Sequence, residues 1–208
     1  MRLMFRKEPL RSFLKWAEWA LFACAVPLIA YCGFALVDSW RFQRRAGRDL
    51  ERLVHERRTP IPAALQPEAQ GLIGRIEIPR LKLSVVIIEG VDTTTLRRGV
   101  GHIPGTALPG DAGNVGLAGH RDTFFRPLKD LKIKDEIRVS TLKGIFTYQI
   151  VSLRVVEPED VGVLAPSDEN VLTLVTCYPF YFVGSAPRRW IVRARQMSSP
   201  TLASSNVK

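Results

Sequence analysis

An all-β domain, barrel or sandwich, behind a single N-terminal membrane helix is what this sequence predicts. Three observations carry that reading. After residue 71 come seven short runs rich in Val, Ile, Leu and Thr, separated by Gly and Pro. Helical patterning over the same stretch is sparse. Near the N-terminus, Trp19 to Val37 form 19 residues without a charge.

In chain order, residues 1–18 are a basic tail containing Arg2, Arg6, Lys7, Arg11 and Lys15. Residues 19–37, "WALFACAVPLIAYCGFALV", at ~1.5 Å per residue cover most of a ~30 Å hydrocarbon layer. Trp16, Trp19 and Trp40 bracket the span as interface anchors, and Pro27 is tolerable within it. A cleaved signal peptide would have a shorter apolar region closed by a small-x-small site, which this stretch lacks. Five arginines, Arg41, Arg44, Arg45, Arg48 and Arg52, follow the span, so the positive-inside count leaves its orientation open.

Residues 38–70 are a stalk and linker. "RFQRRAGRDLERLVHERR" predicts a short exposed helix, and "TPIPAALQPEAQ" a semi-rigid spacer that from Pro60 to Gln70 reaches ~34 Å at ~3.1 Å per residue. The folded domain is placed at 71–196, with runs "GLIGRIEIP", "LKLSVVIIEG", "NVGLAG", "DEIRVST", "IFTYQIVSLRVVEP", "NVLTLVTC" and "RWIVRARQ". "DTTTLRRGVG", with an Asp or Thr cap, and "TFFRPLKDL" each predict a short helix. The polar residues 197–208 are expected to be disordered.

The formal net charge of +10 raises nucleic-acid binding, so the placement of charge matters. Residues 1–58 hold 12 Lys and Arg against 6 Asp and Glu; residues 59–208 hold 18 against 14. The excess is concentrated beside the apolar segment, where anionic lipid headgroups attract it, and no basic stripe with interleaved aromatics follows. A lipid bilayer is the predicted partner and nucleic acid is not. Cys24 and Cys32 lie in the span, leaving Cys177 alone in the folded part.

A cysteine nucleophile needs a partner that raises its thiolate fraction. His55 sits in the stalk; the candidates are His102 in "GVGHIPGTALPG" and His120 in "GLAGHRDTFF", just past a predicted strand end. Cysteine at one strand end, histidine at another and arginine at the start of a third supply a nucleophile, a proton shuttle and a fixed positive charge for an oxyanion. Alternation puts Arg189, Ile191 and Arg193 on one face and Arg188, Trp190 and Val192 on the other, so only one of the adjacent arginines can face the cleft. Neither Cys-x-x-Cys nor His-x-x-x-His is present, and "GTALPGDAGNVG" lacks the Lys-Ser/Thr of a phosphate loop. No metal or cofactor is predicted. The papain and caspase patterns around a catalytic cysteine do not fit.

These residues resemble the sortases, membrane-anchored cysteine transpeptidases. "TLVTC" at 173–177 is similar to their TLxTC signature, "LAGHR" at 117–121 to their histidine strand, and "RWIVRA" at 189–194 to their arginine strand. "GHIPGTALPGDAGNVGLAGHRDTFFRPL" and "TCYPFYFVGSAPRRWIVRA" look like the class D branch in particular. The resemblance covers about residues 71–196. It implies a closed eight-stranded β-barrel with one or two short helices, outside the cytoplasm, on a single-pass anchor whose N-terminus is cytoplasmic.

It also implies that Cys177 is the nucleophile, His120 the general acid/base and Arg189 the stabiliser of the tetrahedral intermediate, with His102 structural. Thr176 is assigned to the oxyanion site, and Ala118 and Ile191 to the groove for the substrate's leucine and proline. The reaction so implied is cleavage of an LPXTG-like sorting signal after threonine through a thioester, then transfer to an amine of a cell-wall precursor. The loops at 155–170 and 178–188 are expected to set specificity, the aromatic one as a wall of the groove. No Asp-Pro-aromatic lid is visible in the linker and no calcium cluster elsewhere. Two rivals are kept: an anchored, non-catalytic barrel that binds wall or pilus components, and a cysteine transpeptidase that crosslinks peptidoglycan directly, whose expected Ser/Thr-x-Gly-Cys pattern is absent.

Overall fold

The computed structural model describes residues 8–56, 71–182 and 184–197. The Pro-rich spacer at 59–70, with the lid and reach read from it, and nearly all of the polar tail lie outside the described residues, as do the first seven residues. The chain divides into two units, the first reaching Arg41 and the second starting at Phe42.

Helix α1, Glu8–Glu56, runs through Pro27 without a break. In the first unit its large apolar side chains, Trp19, Phe22, Leu28, Ile29, Phe34 and Leu36 among them, are exposed. A helix apolar all round is the pattern of a span surrounded by lipid. The segment Phe13–Leu50 is long and apolar enough to cross a membrane.

The second unit is a closed eight-stranded barrel. Its strands are β1 (Leu72–Ile78), β2 (Leu83–Glu89), β3 (Val100–His102), β4 (Asn114–Ala118), β5 (Glu136–Thr141), β6 (Gly144–Val156), β7 (Val171–Tyr178) and β8 (Arg188–Gln196). Around the barrel they run β1-β2-β3-β4-β7-β8-β6-β5, and β1 pairs with β5 to close it. Alternation fills the interior: Ile76 and Ile78, Val85 and Ile87, Val115 and Leu117, Ile137 and Val139, Phe146, Tyr148 and Ile150, Leu172 and Leu174, and Val192 and Ala194 all belong to one core.

Two pairings are parallel, β2 with β3 and β4 with β7. The first needs a crossover, supplied by helix α2 (Thr93–Arg98). Asp92 caps it, its Oδ1 accepting from the Thr94 and Thr95 amides at 2.8 and 3.1 Å. The expected helix in "TFFRPLKDL" is a 3₁₀ turn over Arg126–Asp130, with Pro127 in its first turn.

Two features depart from the sequence reading. Strand β3 is an eighth strand, where the sequence reading placed the end of the "DTTTLRRGVG" helix and the Gly- and Pro-rich run around His102; at three residues it is too short to show a period. The stalk is also not a solvated helix over its first turns. Phe42 and Ala46 pack against Val86, Ile88 and Leu72, and Leu50 is buried too. Gln43 accepts a hydrogen bond from the Val86 amide at 3.1 Å and donates to the Arg98 carbonyl. The cause lies in β2: "VVII" is apolar on both faces, so its outer face needs a cover.

Candidate active site

Strand register assembles the site. Cys177 lies directly opposite Arg189 across the β7–β8 ladder, and Val175 opposite Ile191. On the other side of β7, Val175 is opposite Ala118. Cross-strand partners share a face and residues two apart return to it. Ala118, Val175 and Ile191 therefore form one row, and Cys177 and Arg189 belong to the next row on the same face. Carrying the β4–β7 register two residues further brings His120 to the level of Cys177. The Gly119 amide still donates to the Val175 carbonyl at 3.2 Å, so the ladder continues past the end of β4.

This face is the outer one. Leu117, Leu174 and Val192, the neighbours in alternation, are core residues. Cys177, His120, Arg189 and Ala118 are all half-buried, whereas Ile191 is buried. Arg188 points the other way and lies 4.0 Å from Glu157.

The walls come from two directions. On the outer face Asn114 accepts from the Thr173 hydroxyl at 2.7 Å and donates to the Val163 and Ala165 carbonyls, both at 3.1 Å. This buried network ties the 161–165 turn to the floor. Gly116 leaves room for it, because a Cβ there would sit 3.0 Å from Thr106 and 3.1 Å from Leu164.

The aromatics after Cys177 divide their tasks. Tyr178 stacks on Trp190 with ring centroids 6.0 Å apart, and Phe180 meets both edge-on at 6.1 Å. Phe180 and Trp190 pack against the core, so this half of the loop plugs the barrel end. Tyr181 and Phe182 are exposed, under Arg126, Lys129 and Arg121.

Thr176 belongs to the inner face; it is buried and its hydroxyl donates to the Gly119 carbonyl at 2.7 Å. Arg189 Nη1 donates to the Ala186 and Arg188 carbonyls at 3.1 and 3.0 Å, which fixes the guanidinium at the mouth of β8. His102 is buried away from this row. Its Nδ1 lies 2.8 Å from Glu89 Oε2, and its Nε2 lies 3.0 Å from the Ala107 carbonyl. Both ring nitrogens are engaged, as suits a structural histidine. Among the described residues no group of three or more His, Cys, Asp and Glu is placed to hold a metal ion.

Comparison with known proteins agrees with this architecture. The Sortase domain matches residues 76–197. Sortase D of Bacillus subtilis (strain 168) is 37% identical over 137 residues, which covers 65% of this chain and 69% of that protein. Among solved structures, a Clostridium perfringens Sortase D5 transpeptidase superposes with a TM-score of 0.61 at 30% identity, covering 77% of this chain and 98% of that one. A lid mutant of Sortase A from Corynebacterium diphtheriae gives 0.60 at 33% identity over 64% and 74%. With that domain matched over more than half its length and the same barrel beneath it, this chain belongs to the sortase family.

Proposed function

We propose that this sortase is a membrane-anchored cysteine transpeptidase acting on proteins with an LPXTG-like sorting signal. The observation that supports it most is the register pairing of Cys177 with Arg189, with His120 following the strand beside them. Cys177 as thiolate attacks the carbonyl carbon of the signal's threonine. Arg189 stabilises the oxyanion through guanidinium N–H groups other than Nη1, and His120 as imidazolium gives its proton to the departing amine. The C–N bond breaks and a thioester remains. An amine of a cell-wall precursor then attacks the thioester, its proton passes to His120, and the thiolate leaves as the new amide forms.

The row Ala118, Val175 and Ile191, one step from the thiol on the same face, is apolar and suits the leucine and proline of the signal. Thr176 contributes to the intermediate through the wall it braces rather than through a free hydroxyl. The N-terminus is cytoplasmic, α1 crosses the membrane once, and the barrel acts outside the cytoplasm.

Incubating the full chain with an LPXTG-type peptide and weighing the protein by mass spectrometry tests this reading. An acyl adduct on Cys177, absent in Cys177→Ala, is expected. Normal cleavage by Cys177→Ala would end it, and peptide binding without an adduct would favour a non-catalytic barrel.

A further inference from the structure

The residue after His120 has a buried side chain that makes three hydrogen bonds. Arg121 is only 6% exposed. Its Nη1 donates to the Pro179 carbonyl at 2.9 Å, and its Nη2 donates to the carbonyls of Phe182 at 2.7 Å and Gly184 at 3.0 Å. It lies 5.9 Å from the centroid of the Phe182 ring. All three acceptors are in the segment joining Cys177 on β7 to Arg189 on β8.

A loop of such irregular backbone leaves carbonyls that strand pairing cannot satisfy, and a buried guanidinium is costly unless its donors are met. Each meets the other's need here. Asp122 is the nearest acid, 3.6 Å from Nε, and its own side chain is largely exposed, so the carbonyls are the main recipients of the buried donors.

The turn bearing His120 is anchored on its other side as well. The His120 carbonyl accepts from the Phe125 amide at 3.1 Å, and Phe125 is fully buried in the core. The turn bearing His120 and the single connection that runs from Cys177 to Arg189 are therefore fastened together through one planar fork.

We propose that Arg121 is a positioning residue: it holds the His120 turn against the Cys177–Arg189 connection and so sets the imidazole's place beside the thiol. The inference rests on the acyl-transfer reading above. Losing the clamp leaves the groove floor, built by β4, β7 and β8 themselves, in place. It loosens the relation between His120 and Cys177, and misplacement of a catalytic group by about 1 Å costs on the order of 10²-fold in rate. Lysine, a compact point charge on a flexible stem, lacks the planar fork that spreads donors over the three carbonyls.

The test compares full-length Arg121→Lys and Arg121→Gln with the parent protein, measuring thermal midpoint, kcat and KM on an LPXTG-type peptide. The acyl adduct on the parent's Cys177 is checked first, so failure of the functional reading is seen before any variant is compared. Both variants are expected to stay folded and to lose kcat by about 10-fold or more, with KM within about twofold and Arg121→Lys the less impaired. A KM increase at constant kcat would move the role to peptide binding and overturn the proposal. So would unchanged kinetics, or a loss of activity that only tracks the unfolded fraction.

Discussion

Replacing Thr176 by valine removes one hydroxyl and almost no volume, so it isolates a single hydrogen bond at the centre of the site. That bond, 2.7 Å from Thr176 Oγ1 to the Gly119 carbonyl, joins the residue before Cys177 to the residue before His120. Thr176 is 3% exposed, so water cannot simply take the hydroxyl's place. A buried hydrogen bond contributes about 1 kcal/mol net, and a carbonyl left unmatched raises the cost to about 1–3 kcal/mol. For a domain of this size that is a fall in Tm of about 4–10 °C. The Gly119 amide keeps its bond to Val175, so the ladder survives and the protein folds. The two strand ends lose their side-chain tie, however, and kcat/KM on an LPXTG-type peptide should drop about 10-fold. Thr176→Ser should restore most of both quantities. Scanning fluorimetry and peptide cleavage on the detergent-solubilised chain measure them. Unchanged Tm and unchanged kcat/KM in Thr176→Val would refute the argument. Lost kcat at full Tm would instead assign the hydroxyl to the reacting intermediate.

Other expectations follow from the same geometry. His120→Ala and Arg189→Ala should each lower peptide turnover by about 10²-fold or more, and Arg189→Lys should recover little, because only a planar fork can hold the Ala186 and Arg188 carbonyls through Nη1 and still offer the proposed oxyanion its other N–H groups. Gly119→Ala places a Cβ 2.7 Å from the buried Phe125 ring, so loss of activity should accompany a Tm decrease equivalent to about 1–3 kcal/mol. Asp135 accepts from Arg80 at 2.7 and 2.6 Å, and this bond, ahead of the Lys132 amide, holds its carboxyl below the usual range. A depressed carboxyl contributes stability above its unfolded value, near pH 4, and loses it as pH falls through the folded one. The Tm gap between the parent and Asp135→Asn should therefore be full at neutral pH and close in acid; a gap independent of pH would contradict it.

What the sequence made legible, and what it hid, divides along a physical line. Cys177, Arg189, Ala118 and Ile191 sit on strands whose own alternation announces their face, so register alone brings them together. Strand β3 escaped because Val100, Gly101 and His102 hold no period, although the His102 it positions was noticed. Arg121 escaped for a different reason: its partners are main-chain carbonyls 58 to 63 residues away, and a carbonyl carries no side-chain signature. The stalk's packing was half visible. Phe42, Ala46 and Leu50 recur every four residues on one helix face, but only the doubly apolar β2 makes that face buried. The aromatic loop was read as one wall because composition does not say that Phe180 would turn into the core while Tyr181 faces solvent.

Why the three polar groups occupy a strand end, a strand end and a strand start follows from topology. Eight strands leave an interior just wide enough for side chains, which the apolar core fills, so a reactive group has to work on the outer wall. Strands β4 and β7 are parallel, and their C-terminal ends lie at one end of the barrel; β8 is antiparallel to β7, so its beginning lies there too. A histidine after β4, a cysteine at the close of β7 and an arginine at the opening of β8 therefore fall at the same end of the barrel without any bend in the strands. Had the histidine stood at the start of β4 instead, at Asn114, six residues earlier at about 3.3 Å each, it would be about 20 Å further along the strand from the level of the thiol, beyond any proton transfer. The chain order His120, Cys177, Arg189 is thus tied to one parallel and one antiparallel pairing. A register shift of one residue in β7 would turn Cys177 into the barrel and present Thr176 in its place.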